Sequence, residues 1–221
     1  MKSFVRYIIL GLVLLSVAFK SNAQLSHTQN GFVDEKAKEI LSKCKQKIVS
    51  SKGISFTSQI VIKDQQKKEK EKRSAKVLLQ GNKYRISVEG HSFYCDGTTI
   101  WHHNKETKEV IVNSIDKDSD NILNPSQLLN NYDKNFRAKF IREENGIYII
   151  DLVPKKAKEY HKIRICVAQK SFQIKKMEMY YYDSSQTDYS IEQYKANIET
   201  ALGDFVFDSV ANKGVEIIDM R

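Results

Sequence analysis

The chain has 221 residues, is 41% hydrophobic and 29% charged, and carries a formal net charge of +9. That length suffices for one sizeable core. After residue 19 no apolar run is long enough to span a bilayer, which excludes a helical integral membrane protein.

The N-terminus reads as a secretory signal peptide. Lys2 and Arg6 precede the apolar run "YIILGLVLLSVAF", and Ser21 and Ala23 are the small residues expected before a cut between Ala23 and Gln24. The run is too short for a spanning helix, which needs about 20 residues. The residue after the cut is not cysteine, so no lipid anchor is expected on the mature chain, Gln24–Arg221, which is expected to be one domain. Loss of Lys2, Arg6 and Lys20 lowers the charge from +9 to +6. This surplus reads as solubility. Export separates the chain from nucleic acid, and an anionic membrane surface or acidic partner stays open.

Residues 24–32 form a polar lead-in. In "FVDEKAKEILSKCKQKIVSSKG", Phe32, Lys36, Ile40, Cys44 and Ile48 recur at helical spacing, flanked by Val33, Ala37 and Leu41. This predicts an amphipathic helix with a lysine-rich outer face, stopped near Gly53. The period then changes to two. "ISFTSQIVI" alternates, "KDQQKKEKEKR" reads as a wet loop, and "RSAKVLLQ" pairs with "KYRISVE" through Gly81-Asn82. "SFYC" runs through Asp96-Gly97 into "TTIWHH", and "KEVIV" follows. "DKDSDNILNPSQLLNNYDKN" breaks the rhythm and predicts one or two short helices, with Pro125 near a helix start. Strands resume at "FRAKFIREE", turn at Asn145-Gly146, and continue through "IYIIDLVP", "YHKIRICVA", "FQIKKMEMYYY", "TDYSIEQYKANI", "DFVFD" and "GVEIID".

Ten to twelve strands with short connections imply a large antiparallel sheet. No strand-helix repeat and no glycine-rich phosphate loop is present, which argues against a nucleotide fold. The apolar face needs a cover, and the few helices are too small to fill a wide curved sheet. A cavity between sheet and helices is the expectation.

Chemistry-bearing residues do not assemble into a reactive set. His91, His102 and His103 lie close, but neighbours on a strand point to opposite faces, so His102 and His103 cannot share a ligand face. No metal site or cofactor is expected. No nucleophile elbow, zincin helix or carboxylate pair occurs, so an enzyme is not expected. Cys44, Cys95 and Cys166 are widely spaced and match no metal knuckle. They read as small buried hydrophobes, with one disulfide the lesser alternative. Aromatic residues crowd the strands. Sheet propensity explains them, and so does an apolar wall offered to an acyl chain, with Met177 and Met179 softening one side.

Several stretches together resemble the outer-membrane lipoprotein carrier (LolA) family: "KAKEILSKCKQKI" followed by "ISFTSQIVI", then "GNKYRISVEG", "CDGTTIWHHNKETKEVIV", "YIIDLVPKK", "HKIRICVAQKSFQIKKMEMYYYD" and "DFVFDSVANKGVEIIDMR". The resemblance implies an incomplete antiparallel β-barrel of about 11 strands with a helical lid over an apolar cavity. It implies a monomeric, non-catalytic periplasmic carrier that shields lipoprotein acyl chains between an inner-membrane release complex and an outer-membrane acceptor. Relatives of this shape carry other amphiphiles, so a fatty acid, glycolipid or polyene precursor is the alternative cargo. The expected lining is Tyr84, Ile86, Phe93, Trp101, Tyr148 and Ile165, with Ile40 and Leu129 from the cover. The family's lid-contacting arginine has no counterpart, since Gln80 or Gly81 falls near its place and the proline beside it is missing. Lys83 and Arg85 share the face opposite Tyr84 and Ile86. If that face is external, neither takes the lid role.

Overall fold

Period-two alternation from Ile54 onward becomes strand after strand in the computed structural model, which describes residues 34–115 and 125–221. The expected signal peptide, residues 1–23, and the polar lead-in lie outside the described residues. Helix α1 (Glu35–Val49) comes first, followed by β1 (Ile54–Lys63), β2 (Glu69–Gln80), β3 (Lys83–Val88), β4 (His91–Cys95), β5 (Thr99–Asn104) and β6 (Glu109–Ser114). Helix α2 (Pro125–Asn135) interrupts. Then come β7 (Phe136–Glu144), β8 (Ile147–Pro154), β9 (Tyr160–Ala168), β10 (Ile174–Tyr181), β11 (Gln186–Ala196), a 3₁₀ turn (Leu202–Phe205) and β12 (Glu216–Asp219).

Local chemistry sets the boundaries. The Asp34 side chain caps α1, accepting from the Ala37 N–H at 2.9 Å. Its other oxygen accepts from the Phe140 N–H at 2.8 Å, which ties the helix start to β7. Glu35 in the first turn and Lys47 in the last suit the helix dipole. Pro125 opens α2, where its missing N–H costs nothing. Asn145 and Gly146 both have positive φ, 49° and 75°, as a two-residue hairpin turn between β7 and β8 requires.

Among the described residues all twelve strands form one mixed, open sheet in the order β12-β6-β5-β4-β3-β2-β1-β11-β10-β9-β8-β7. Neighbours are antiparallel except β12, which pairs parallel with β6. The sheet is not closed into a barrel: β12 and β7 remain its two edges. Relative to the expected 11-stranded antiparallel barrel, the closure is absent and one pairing is parallel. "DFVFD" is not a strand. It forms the 3₁₀ turn and its exit, because Asp204 turns back to accept from the Ala201 N–H.

The registers sort side chains onto two faces. One row runs Phe56, Val77, Ile86, Phe93, His102, Ile111. On the other arm a row runs Ile60, Tyr189, Met177, Ile165, Ile150, Phe140. Both lie on the face that α1 covers, here called the inner face. Ala37, Ile40, Leu41 and Cys44 of α1 pack on Ile150, Ile163, Ile165 and Met177, with Leu128 and Leu129 of α2 in the same core.

The outer face is polar on one arm and strapped on the other. Across β8 to β11, Arg164 holds Asp151 at 2.7 Å, and Lys176 reaches Glu178 at 2.6 Å and Asp188 at 2.9 Å. Lys63 of β1 completes the ladder on Asp188 at 2.8 Å. On the other arm Phe207 and Val215 of the C-terminal segment pack on Val110, Val112, Tyr94 and Trp101.

Candidate binding face

The inner face is an apolar surface covered by α1 and α2. Seven of the eight residues expected to line a cavity come to this side. Tyr84, Ile86, Phe93 and Ile165 project from the inner face and are buried. Tyr148, half-buried, shares that face through its pairing with Val167. Ile40 and Leu129 approach from the two helices.

Trp101 does not join them. It pairs with Tyr94 and Val112, one residue out of step with the Phe93–His102 pair, and so projects from the outer face. There it packs with Phe207 and Val215. A one-residue offset moves a strand side chain to the opposite face.

Beneath α1 the expected broad cavity is occupied by side chains from both layers, most of them under 5% exposed. Open space lies instead at the C-terminal half of α1. A cleft of about 360 Å³, partly open solvent, sits there. Its walls include Cys44 and Ile48 of α1, Phe56 and Leu79 of the sheet, Ile191 of β11, and Phe172 with Gln173 from the β9–β10 connection. Its enclosed part is only about 20 Å³, room for roughly one water molecule. Any occupant with a long chain therefore needs α1 to shift.

Three features mark the cleft. First, Phe172 has φ of 51°, a left-handed conformation costing a bulky residue roughly 1–2 kcal/mol. The turn holds it there: its N–H donates to Ala168 O at 2.8 Å, and the Ala168 N–H donates to Gln173 O at 2.9 Å. Second, Gln173 Nε2 is buried with no hydrogen-bond partner among the described residues. Its Oε1 accepts from Lys175 Nζ at 3.1 Å, which fixes the amide orientation, since a flip would set the NH₂ against an ammonium. Third, Lys43 of α1 lies 4.8 Å from the ring centre of Phe172. Such an exposed cation–π contact is worth about 0.5–1 kcal/mol.

Tyr194 falls in a stretch expected to be strand and lies on β11, whereas Phe172, expected to open a strand, lies in the β9–β10 connection ahead of β10. Gln173, Ile191, Leu79 and Phe56 carry no signal that sets them apart, because the cleft draws on several elements remote in sequence.

The histidines and cysteines have structural settings. His91 Nδ1 lies 3.1 Å from His102 Nε2, and His102 stacks on Phe93 at 4.4 Å. Burial, then the neighbouring His91 and His103, lowers the His102 pKa to about 4, so it is neutral near pH 7. His103 points to the other face, against Phe207. Among the described residues no group of three or more potential metal ligands occurs. All three cysteines are free, with Cys44 and Cys95 buried and Cys166 half-buried. Burial pushes the Cys44 thiol up to about 12, which leaves it unreactive.

The basic residues of β2 and β3 answer the arginine question. Val77, Leu79, Tyr84, Ile86 and Val88 fill the inner positions, and the Lys76–Ser87 and Leu78–Arg85 pairs belong to the outer face. Arg85 approaches Asp204 of the 3₁₀ turn at 3.8 Å. It braces the C-terminal segment and does not face α1.

Among the described residues the architecture is an open, twelve-stranded sheet with an apolar face under two helices. The chain belongs to the family of outer membrane lipoprotein carrier protein LolA, matched over residues 55–208. It is accordingly a non-catalytic periplasmic carrier or binding protein of that superfamily. A conserved protein from Thermus thermophilus has a similar fold, with a TM-score of 0.59 at 10% identity, over 83% of this chain and 99% of that one. A LolA superfamily protein from Nitrosomonas europaea aligns at 13% identity over 78% of this chain and 98% of that one, with a TM-score of 0.46. No curated protein matches the chain in sequence.

Proposed function

We propose that this protein carries lipoproteins across the periplasm as a soluble monomer by shielding their acyl chains. It would take cargo from an inner-membrane release complex and deliver it to an outer-membrane acceptor. The observation that carries this reading is the contact between α1 and the inner face. The helix rests on the sheet through Ala37, Ile40, Leu41 and Cys44, all apolar, so hydrocarbon can take their place without stranding a polar group. Family membership supports lipoprotein as the class of cargo.

The test is to mix delipidated protein with a triacylated lipoprotein and follow both by size-exclusion chromatography with light scattering. A soluble 1:1 complex is expected. Cargo that remains aggregated or membrane-bound defeats the reading. Mass spectrometry of organic extracts from gently purified protein separates the cargo classes. Lipoprotein fragments support the proposal. Free fatty acid, glycolipid or a polyene precursor replaces it with a different amphiphile. Bound cargo also raises the melting temperature, because ligand at 100 times its Kd adds about 2.7 kcal/mol.

A further inference from the structure

We infer that the cleft under the C-terminal half of α1 is an ester-anchoring subsite, in which Gln173 Nε2 donates to an acyl-ester carbonyl of the diacylglyceryl group. This deepens the carrier reading and rests on it.

The cleft is apolar in almost every wall, yet Gln173, one of its lining residues, keeps its Nε2 buried with no hydrogen-bond partner among the described residues. A buried unpaired donor is costly, and native structures seldom retain one without reason. Hydrocarbon alone has no use for it. A partner with an apolar body and a neutral acceptor fits: an acyl chain ends in an ester carbonyl, which accepts hydrogen bonds and carries no charge to desolvate. The donor is pre-set, not merely available. Lys175 orients the amide, and the pinned β9–β10 turn fixes the backbone at Gln173. The other walls include Phe56, Ile191 and Ile48, which suit the first methylenes of the chain. Lys47, which is exposed, also borders the cleft, and a lysine can cover apolar surface with its stem while its ammonium stays in water.

The experiment measures Kd for two probes, a dipalmitoyl-S-glyceryl-cysteinyl peptide and its dialkyl-ether analogue, which has the same chains without the carbonyls. The wild-type protein is expected to prefer the ester about fivefold, the worth of one ordinary hydrogen bond. Gln173→Leu removes the donor, and Gln173→Glu keeps the shape but offers only an acceptor. Both are expected to bind ester and ether within about twofold of each other. Equal binding of the two probes by the wild type overturns the subsite and leaves the carrier reading standing. An ester preference that survives in both variants overturns Gln173 as the anchor. If neither probe binds, the carrier reading fails and the subsite falls with it.

Discussion

Trp101→Ala separates the two faces of the sheet. The indole is half-buried on the outer face, against Tyr94, Val112, Phe207 and Val215. Full truncation of a buried aromatic costs about 3–5 kcal/mol, and partial exposure brings this to about 2–3 kcal/mol. For a domain of this size that is a drop of about 5–10 °C in Tm. Urea unfolding followed by far-UV circular dichroism gives the loss at unchanged slope, since the sole tryptophan is gone. Lipopeptide affinity, measured well below the transition, is expected to stay within about twofold of wild type. Phe56→Ala is the opposing control: Phe56 is 7% exposed, lies on the inner face and lines the cleft. It is expected to lose a similar stability and about tenfold in affinity. The face assignment is refuted if Trp101→Ala weakens binding tenfold or more while its stability loss stays below the matching ~1.4 kcal/mol.

Three further outcomes are expected. Asp34→Ala removes both the α1 cap and the acceptor for the Phe140 N–H, costing about 1–3 kcal/mol, and hydrogen exchange should accelerate first at the start of α1. Burial alone would raise the Asp188 carboxyl, but hydrogen bonds from Lys63, Lys176 and Gln186 outweigh it and hold the group below the usual carboxylate range. Its contribution is therefore present above about pH 4 and lost in stronger acid, and Asp188→Asn should cost about 2 kcal/mol at pH 7, by urea titration. His102, lowered to about 4 by burial and its histidine neighbours, favours the neutral fold. Stability is full above about pH 6.5 and falls by about 2 kcal/mol toward pH 4, and His102→Phe should flatten that slope in a melting-temperature series.

Most of the fold was legible because its signals are local. Alternation named the strands, Asn145-Gly146 fixed a hairpin, and the spacing of Ile40 and Cys44 named the helix and its buried stripe. The side on which Trp101 lies was not legible, because it depends on one parity. The connection Asp96–Gly97–Thr98 places Cys95 opposite Ile100, and hence Phe93 opposite His102. A pairing shifted by one residue would have put Trp101 beside Phe93 instead. The final strand was seen, but its parallel pairing with β6 joins segments roughly a hundred residues apart and leaves no local mark. The cleft was invisible for the same reason. Gln173 becomes notable only when the turn that holds it, the end of α1 and β11 meet.

On the proposed function the two faces divide the work of the molecule, and the energies suit the inner one to reversible carriage. Directional bonds concentrate on the outer face, where Asp151 and Asp188 are held by fixed cations. Helix α1 is tied by polar contacts near its ends, at Asp34 and through the Ser51–Asn197 contact just beyond it. Its middle rests on apolar side chains. Suppose an acyl chain takes the place of Ile40, Leu41 and Ile48 on the sheet. Exposing those three forfeits roughly 5–9 kcal/mol, at about 1.5–3 kcal/mol for each large aliphatic side chain. Burying ten methylenes returns about 8 kcal/mol. The exchange is close to balanced, so cargo binding depends on the further chains and on any ester anchored at Gln173. A carrier must release what it holds. An inner face filled by its own helix supplies a competitor for the site at every moment, and release then needs no charged side chain reaching in from the sheet.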